Sequence, residues 1–266
     1  MRLALVGMLA TSGVLLAIPS FAQEEEPKLN QPTRPGIARS AEIQRAGVLQ
    51  IELGLEGRLH SPEIHSAEET PLSLRYALLQ SVALDVNFEP VVSQVDQQPR
   101  NRHTAFGDTV IGGQWVAREQ SASAPAVALA YYVKLPTASN SEDIGTGRID
   151  HRLAFLGSKK IGDADVDVTV AYLNVGDRDA GRSSGALAAV SVEQEFKNKI
   201  GYLAEWSHQT EDAELPRGGY ALGAITYRLS EAARLDAAAR FGLTKAAPNI
   251  SVTAGLSVSA PLHVRP

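Results

Sequence analysis

About twelve short stretches of this chain alternate apolar with polar residues, and loops that are alternately long and short separate them. In one of them Val82, Leu84, Val86 and Phe88 fall on one face while Ala83, Asp85, Asn87 and Glu89 fall on the other. A period of two is the signature of a β-strand with one face in an apolar medium and the other in a polar one. When every strand repeats this pattern behind an export signal, the apolar medium can be lipid. The pattern therefore predicts an all-β chain folded as a single closed up-and-down antiparallel transmembrane β-barrel.

The stretches cover residues 47–57, 72–79, 82–92, 108–118, 124–135, 148–157, 164–175, 185–195, 200–209, 219–229, 234–243 and 249–259. Phasing is clean in most: Val127, Leu129, Tyr131 and Val133 oppose Ala128, Ala130, Tyr132 and Lys134. Around 219–229 both faces carry apolar residues. Short links fall near 80–81, 119–123, 159–163, 197–199 and 230–233, and longer ones at 58–71, 93–107, 136–147, 176–184 and 210–218; the last link, 245–248, is short. An even strand count with a long first loop places both termini in the periplasm. Closure follows from the backbone, because an unpaired N–H or C=O costs several kcal/mol in lipid. A barrel of about twelve strands has a bore between that of a side-chain-filled small barrel and an open porin.

The N-terminus reads as a targeting segment. Arg2 supplies the positive charge, residues 3–18 the apolar run and Ser20-Phe21-Ala22 the small residues of a cleavage site, so residues 1–22 are a cleaved signal peptide. Residues 23–46 are polar and carry Pro27, Pro32 and Pro35, which predicts an irregular periplasmic tail or a plug in the lumen. The barrel then spans 47–260, and 261–266 form a short C-terminal tail. The absence of cysteine excludes lipoprotein anchoring and disulfides. A net charge of −5 without a basic block excludes nucleic acid as a partner. Beyond the signal no apolar run is long enough for a membrane helix.

Alternation places Glu52, Arg75, Asp85, Lys134, Asp150, Arg152, Asp165, Asp167, Glu193, Glu205, Asp236 and Arg240 in the lumen. Such a set either selects solutes at a constriction or stiffens the barrel through cross-strand ion pairs. Asp165 with Asp167 lack a third ligand, so neither metal nor cofactor is expected. Tyr76, Trp115, Phe155, Tyr172, Tyr202 and Trp206 fall outward, as interface girdles would, although aromatic residues make up only 6% of the chain. No catalytic set is expected: Ser207 and His208 are strand neighbours and point to opposite faces, and neither a nucleophile elbow nor a His-Glu-x-x-His helix is read. The Gly112-Gly113 and Gly218-Gly219 pairs fit curvature or close packing better than a nucleotide cradle.

Specific strings add to the periodicity. Residues 46–54 (AGVLQIELG), Leu74-Arg75-Tyr76, Gly107-Asp108-Thr109, residues 133–137 (VKLPT), and the C-terminal pieces Leu235-Asp236, Gly242-Leu243-Thr244, Ala247-Pro248-Asn249 and Gly255-Leu256-Ser257 resemble the outer-membrane transporter family named for the MetA-pathway of phenol degradation. The resemblance spans roughly residues 46–259 and is most specific at the C-terminal hairpin. It implies a monomeric barrel, inserted into outer-membrane lipid by the barrel-assembly machinery and linked to passive uptake of small aromatic or other hydrophobic solutes. The chain departs from the usual barrel pattern in ending without an aromatic residue. Two rival readings remain: a periplasmic soluble barrel or sandwich acting as a binding module, and a structural or surface-interaction barrel without transport. A soluble protein would bury Leu49, Ile51, Leu53, Val127, Leu129 and Val133, whereas a membrane barrel turns them outward.

Overall fold

The computed structural model describes residues 28–61, 64–138, 144–177, 181–213 and 215–262. The predicted signal segment and residues 23–27 and 263–266 lie outside the described residues. The strands are β1 (Val48–Leu59), β2 (Ile64–Glu69), β3 (Leu72–Leu79), β4 (Val82–Phe88), β5 (Val92–Asp96), β6 (Arg102–Ala105), β7 (Thr109–Arg118), β8 (Ala126–Leu135), β9 (Asp150–Ile161), β10 (Ala164–Asp177), β11 (Gly181–Glu195), β12 (Ile200–Gln209), β13 (Gly218–Ser230), β14 (Ala233–Gly242) and β15 (Ile250–Pro261).

Twelve of these strands, β1, β3, β4 and β7 to β15, pair in sequence order, and β15 returns to pair with β1. The closing seam runs without a bulge from Val48 opposite Pro261 to Leu59 opposite Ile250. No barrel strand is left with a free edge, as lipid requires. At one end, the turn end, neighbouring strands are joined by tight connections such as Ile161 to Ala164, where Gly162 takes a positive φ of 62°. At the other, the loop end, most connections are longer.

The alternation resolves into an outside and an inside. Phe155 is 59% exposed and Ile225 66%, whereas Glu52, Arg75 and Asp85 are each 1% exposed. Ile51 and Leu53 lie outward beside them, and Leu129, Val127 and Val133 occupy the outward phase of β8. This is the inverse of a soluble core, and it removes the soluble reading. Around 219–229 the mixed pattern also has a physical reason: Tyr220, Leu222 and Ala224 are buried inside while Ile225 and Tyr227 face out, so this wall is apolar on both sides.

Three expectations need correction. Residues 82–92 are not one strand; β4 ends at Phe88 and β5 begins at Val92. The links 58–71 and 93–107 are not plain loops, because β2, β5 and β6 continue the sheet beyond the loop end as a flap, with β2 on the last residues of β1 and β5 on β2. The link 176–184 is largely strand, since β10 runs to Asp177 and β11 starts at Gly181. The flap was illegible because it stands clear of lipid: β6 has no buried position, so no apolar face is imposed on its sequence.

Candidate functional site

Residues 28–46 lie inside the barrel. They enter at the turn end, where the Lys28 ammonium is 3.4 Å from Asp165, and climb the closing seam. There the Gln31 N–H donates to Gln50 (2.8 Å), and the Thr33 N–H, Thr33 hydroxyl and Arg34 N–H all donate to the Glu52 carboxylate (3.0–3.2 Å). The chain then crosses the lumen. Glu205 on β12 accepts the Ile37 and Ala38 N–H groups at 2.6 and 2.8 Å, Thr169 on β10 accepts from Arg39, and the Ser158 hydroxyl on β9 accepts from Ala41. The Gln114 amide on β7 donates to the carbonyls of Ser40 and Ala41, and Gln44 donates to the Arg75 carbonyl before β1 begins.

Barrel arginines complete the hold: Arg234 donates to the Arg34 carbonyl (3.0 Å) and Arg240 to that of Pro35 (3.1 Å). A segment without regular structure must find partners for its backbone groups when buried, and here barrel side chains supply them. Two side chains anchor it further. The Arg34 guanidinium donates to Thr253 (2.6 Å) and pairs with Asp236 at 3.3 Å. That of Arg39 stands 4.9 Å from the Tyr132 ring centroid, with Arg152 at 4.3 Å from the same ring. The Tyr132 ring needs the absence of a side chain at its register partner Gly112, where a methyl group would overlap it.

The predicted lumen residues thus fall into two groups. Glu52, Glu205, Asp236 and Arg240 hold the inner segment directly, as does Asp165 through Lys28. The others pair along the wall or fix its packing: Arg75 with Asp85 (3.6 Å), Lys134 with Asp150 (2.6 Å) and Asp108 (3.3 Å), Glu193 with Arg234 (2.5 Å), Asp167 with the Ser158 hydroxyl (2.5 Å), and Arg152 over Tyr132. Strand alternation pointed to these side chains but could not pair them with residues 28–46, since nothing local in the sequence says which wall position meets which tail residue.

One open region, one packed apolar cluster and one buried polar group divide the lumen. A cavity of about 1220 Å³ opens at the turn end between the inner segment and the β9–β14 wall, lined by both signs of charge, among them Asp165, Asp167, Glu193, Lys160 and Arg234. Beyond the segment lies an apolar cluster in which Ile37, Ala38 and Ala41 pack with Leu156, Leu173, Leu187, Tyr220 and the loop residues Leu215 and Ala247. A polar group occupies the loop end on the opposite wall, where Glu89, just after β4, is pushed above the usual carboxylate range, chiefly by burial.

The aromatic side chains Trp115, Phe155, Tyr172, Tyr202 and Trp206 are all exposed on the outer surface, and Tyr76 is partly so. Ser207 is buried inside while His208 is exposed outside. Contrary to the expectation that the chain has no elbow motif, one string, Gly181-Arg182-Ser183-Ser184-Gly185, does have elbow spacing. It lies within β11 rather than at a strand-to-helix turn, and the Ser183 hydroxyl is bonded to Glu211 at 2.8 Å.

A family model described as "Putative MetA-pathway of phenol degradation" matches residues 33–260. The chain belongs to this family. The match begins within the inner segment, so residues 33–46 of it belong to the matched unit together with the barrel. Among solved structures, an outer membrane channel from Pseudomonas putida F1 superposes with a TM-score of 0.61 at 12% identity, covering 86% of this chain and all of the other. The KdgM porin in complex with disordered oligogalacturonate superposes at 0.50 and 10% identity, covering 80% of this chain and 99% of the other. At these identities the likeness is one of fold, that of outer-membrane barrels. No curated protein matches significantly in sequence.

Proposed function

We propose that this family member is an outer-membrane channel that passes small solutes passively, with residues 28–46 as its plug. Support comes from a single arrangement: a closed barrel, apolar outside, whose lumen is filled by a non-covalently held segment of its own chain. Such a segment sets the aperture without being part of the wall. In this reading the signal is cleaved after Ala22, the monomer is inserted by the barrel-assembly machinery, and the turn end with both termini faces the periplasm.

The family description and the apolar wall of Leu173, Leu187, Tyr220 and Leu222 favour aromatic or other hydrophobic solutes. Solved neighbours with the same fold include a channel and a porin. A non-enzymatic role fits the separation of Ser207 from His208 and the strand context of Ser183. Neither a metal nor a cofactor enters the reading.

The test is flux. Planar-bilayer conductance and liposome swelling with small aromatic acids are expected to be low for the wild type and to rise for Glu205→Ala, which removes the acceptor of two plug N–H groups. Absence of conductance and swelling in both proteins would sink the channel reading and leave a structural barrel.

A further inference from the structure

One sector of the outer surface breaks the apolar rule. At the loop end the outward positions of β1, β14 and β15 are apolar, with Leu55, Leu59, Phe241 and Val252 exposed. On β9 to β11 the outward positions instead step from apolar to polar to cationic, beside a β8 whose outward Val133 stays apolar opposite His151. Leu153 and Phe155 come first, then Tyr131 and Tyr172. Next is a row in direct register, His151 opposite Asn174 and Asn174 opposite Ser184. Arg182, also exposed, lies one outward position beyond Ser184.

The row is prearranged. The Tyr131 hydroxyl is 2.8 Å from His151 Nδ1, and the Tyr172 hydroxyl 2.8 Å from the Ser184 hydroxyl. Arg182 is held rigidly: Nε donates to Asn174 Oδ1 (2.8 Å), Nη1 to the Ile149 carbonyl (2.9 Å), and Nη2 to the Asn174 carbonyl (3.1 Å) and Oδ1 (2.5 Å). All these acceptors are neutral. Unlike Arg34, Arg75, Arg234 and Arg240 in the lumen, Arg182 has no carboxylate within ion-pair distance among the described residues. A fixed guanidinium whose described partners are all neutral is a ready donor to an oxyanion. Its place, just past two tyrosines that mark the interface, is the depth of lipid headgroups.

We infer that the outward face of β9 to β11 at the loop end binds the phosphate of an anionic lipid, with Arg182 as the charge and Asn174 as the residue that positions it. The inference rests on the membrane orientation proposed above, in which the loop end lies in the outer leaflet. The occupant is therefore the phosphomonoester of a lipid A-type glycolipid, its acyl chains lying against Leu153 and Phe155.

Native mass spectrometry of the full-length barrel, titrated with a bis-phosphorylated lipid A-type glycolipid, phosphatidylglycerol or neutral diacylglycerol, tests the site. The wild type is expected to bind the glycolipid about tenfold or more tightly than diacylglycerol. Arg182→Gln and Asn174→Ala should reduce that preference by about tenfold, while Arg118→Gln at the other rim leaves it unchanged. Heat-dependent gel mobility shows that each variant is a folded barrel. Unaltered glycolipid binding in folded Arg182→Gln, or equal binding of diacylglycerol, overturns the site; a preference for phosphatidylglycerol overturns the glycolipid assignment. Orientation is read separately by surface labelling of Arg217→Cys on intact cells. A labelled loop with no effect of Arg182→Gln rejects the lipid site alone, and an unlabelled loop with a clear effect rejects the orientation alone.

Discussion

Gly54 and Gly255 face each other across the closing seam, and the guanidinium of Arg34 rests where both their side chains would have been. A methyl group on Gly255 would stand 2.5 Å from Arg34 Nε, and one on Gly54 would overlap the guanidinium outright. The obstructing atoms are the far end of a flexible side chain, so a substitution here displaces Arg34 and spares the wall.

Gly255→Ala is therefore expected to break the Arg34–Asp236 pair and the bond to Thr253, a loss of about 1.5–3 kcal/mol for hydrogen bonds to a charged group. The barrel itself should keep its heat-dependent mobility. Limited proteolysis checks the expectation, since cleavage near Arg34 should accelerate while the strands resist as before.

Gly112→Ala makes the contrasting case. Its methyl group would meet the Tyr131 carbonyl at 2.5 Å as well as the Tyr132 ring, and backbone does not give way. Overpacking of this kind costs about 1–3 kcal/mol. Urea titration of the folded barrel should show a lowered midpoint, and a midpoint equal to wild type would refute the tight fit of Tyr132.

Glu205→Ala leaves the buried Ile37 and Ala38 amides without their acceptor, at about 1–3 kcal/mol for each group left unpaired. Hydrogen exchange at these two amides should speed up well before exchange in β12. Glu205→Gln, which retains an acceptor oxygen, should fall between the two.

Val170 is 52% exposed and pairs with Phe155 on the outer wall. Val170→Arg is expected to cost about 2–4 kcal/mol if the pair sits at the bilayer midplane, and less toward an interface. Refolding into lipid vesicles against denaturant measures it, and a cost near zero would place this pair outside the hydrocarbon.

At Glu89 the sign of the pH dependence follows from the raised pKa. An acid that holds its proton more tightly when folded makes the folded state bind more protons, so stability falls as pH rises from the ordinary carboxylate range through the raised value. Glu89→Gln should remove that slope and leave the loop end more stable at neutral pH. Thermal melts across acidic to neutral pH decide it.

The wall of this protein was legible because lipid imposes a rule on the outward positions along most of each strand. Ile51, Leu53, Phe155 and Val170 obey it, and their inward neighbours Glu52 and Thr169 were assigned with them. The flap strands β2, β5 and β6 obey no such rule: they stand beyond the lipid-facing wall, and their buried residues Ala67, Val92 and Ser93 form no alternating apolar face. The sequence left residues 23–46 open between a periplasmic tail and a plug for a different reason: Thr33-Arg34-Pro35-Gly36 has no periodicity, and its meaning lies in contacts with Glu52, Asp236, Arg240 and Glu205 more than a hundred residues away for all but the first. Gly36 shows the point, because a side chain there would meet the Glu205 carboxylate at 2.5 Å, a constraint set wholly by the fold.

The Arg45 N–H is bonded to the Lys28 carbonyl at 3.0 Å, so the inner segment starts and finishes at the same mouth of the barrel. In a rope-worker's terms it is a bight pushed into a tube and not a line threaded through it. A bight can be drawn back out with no free end passing the constriction, so clearing the bore would require neither proteolysis nor disassembly of a single strand pair.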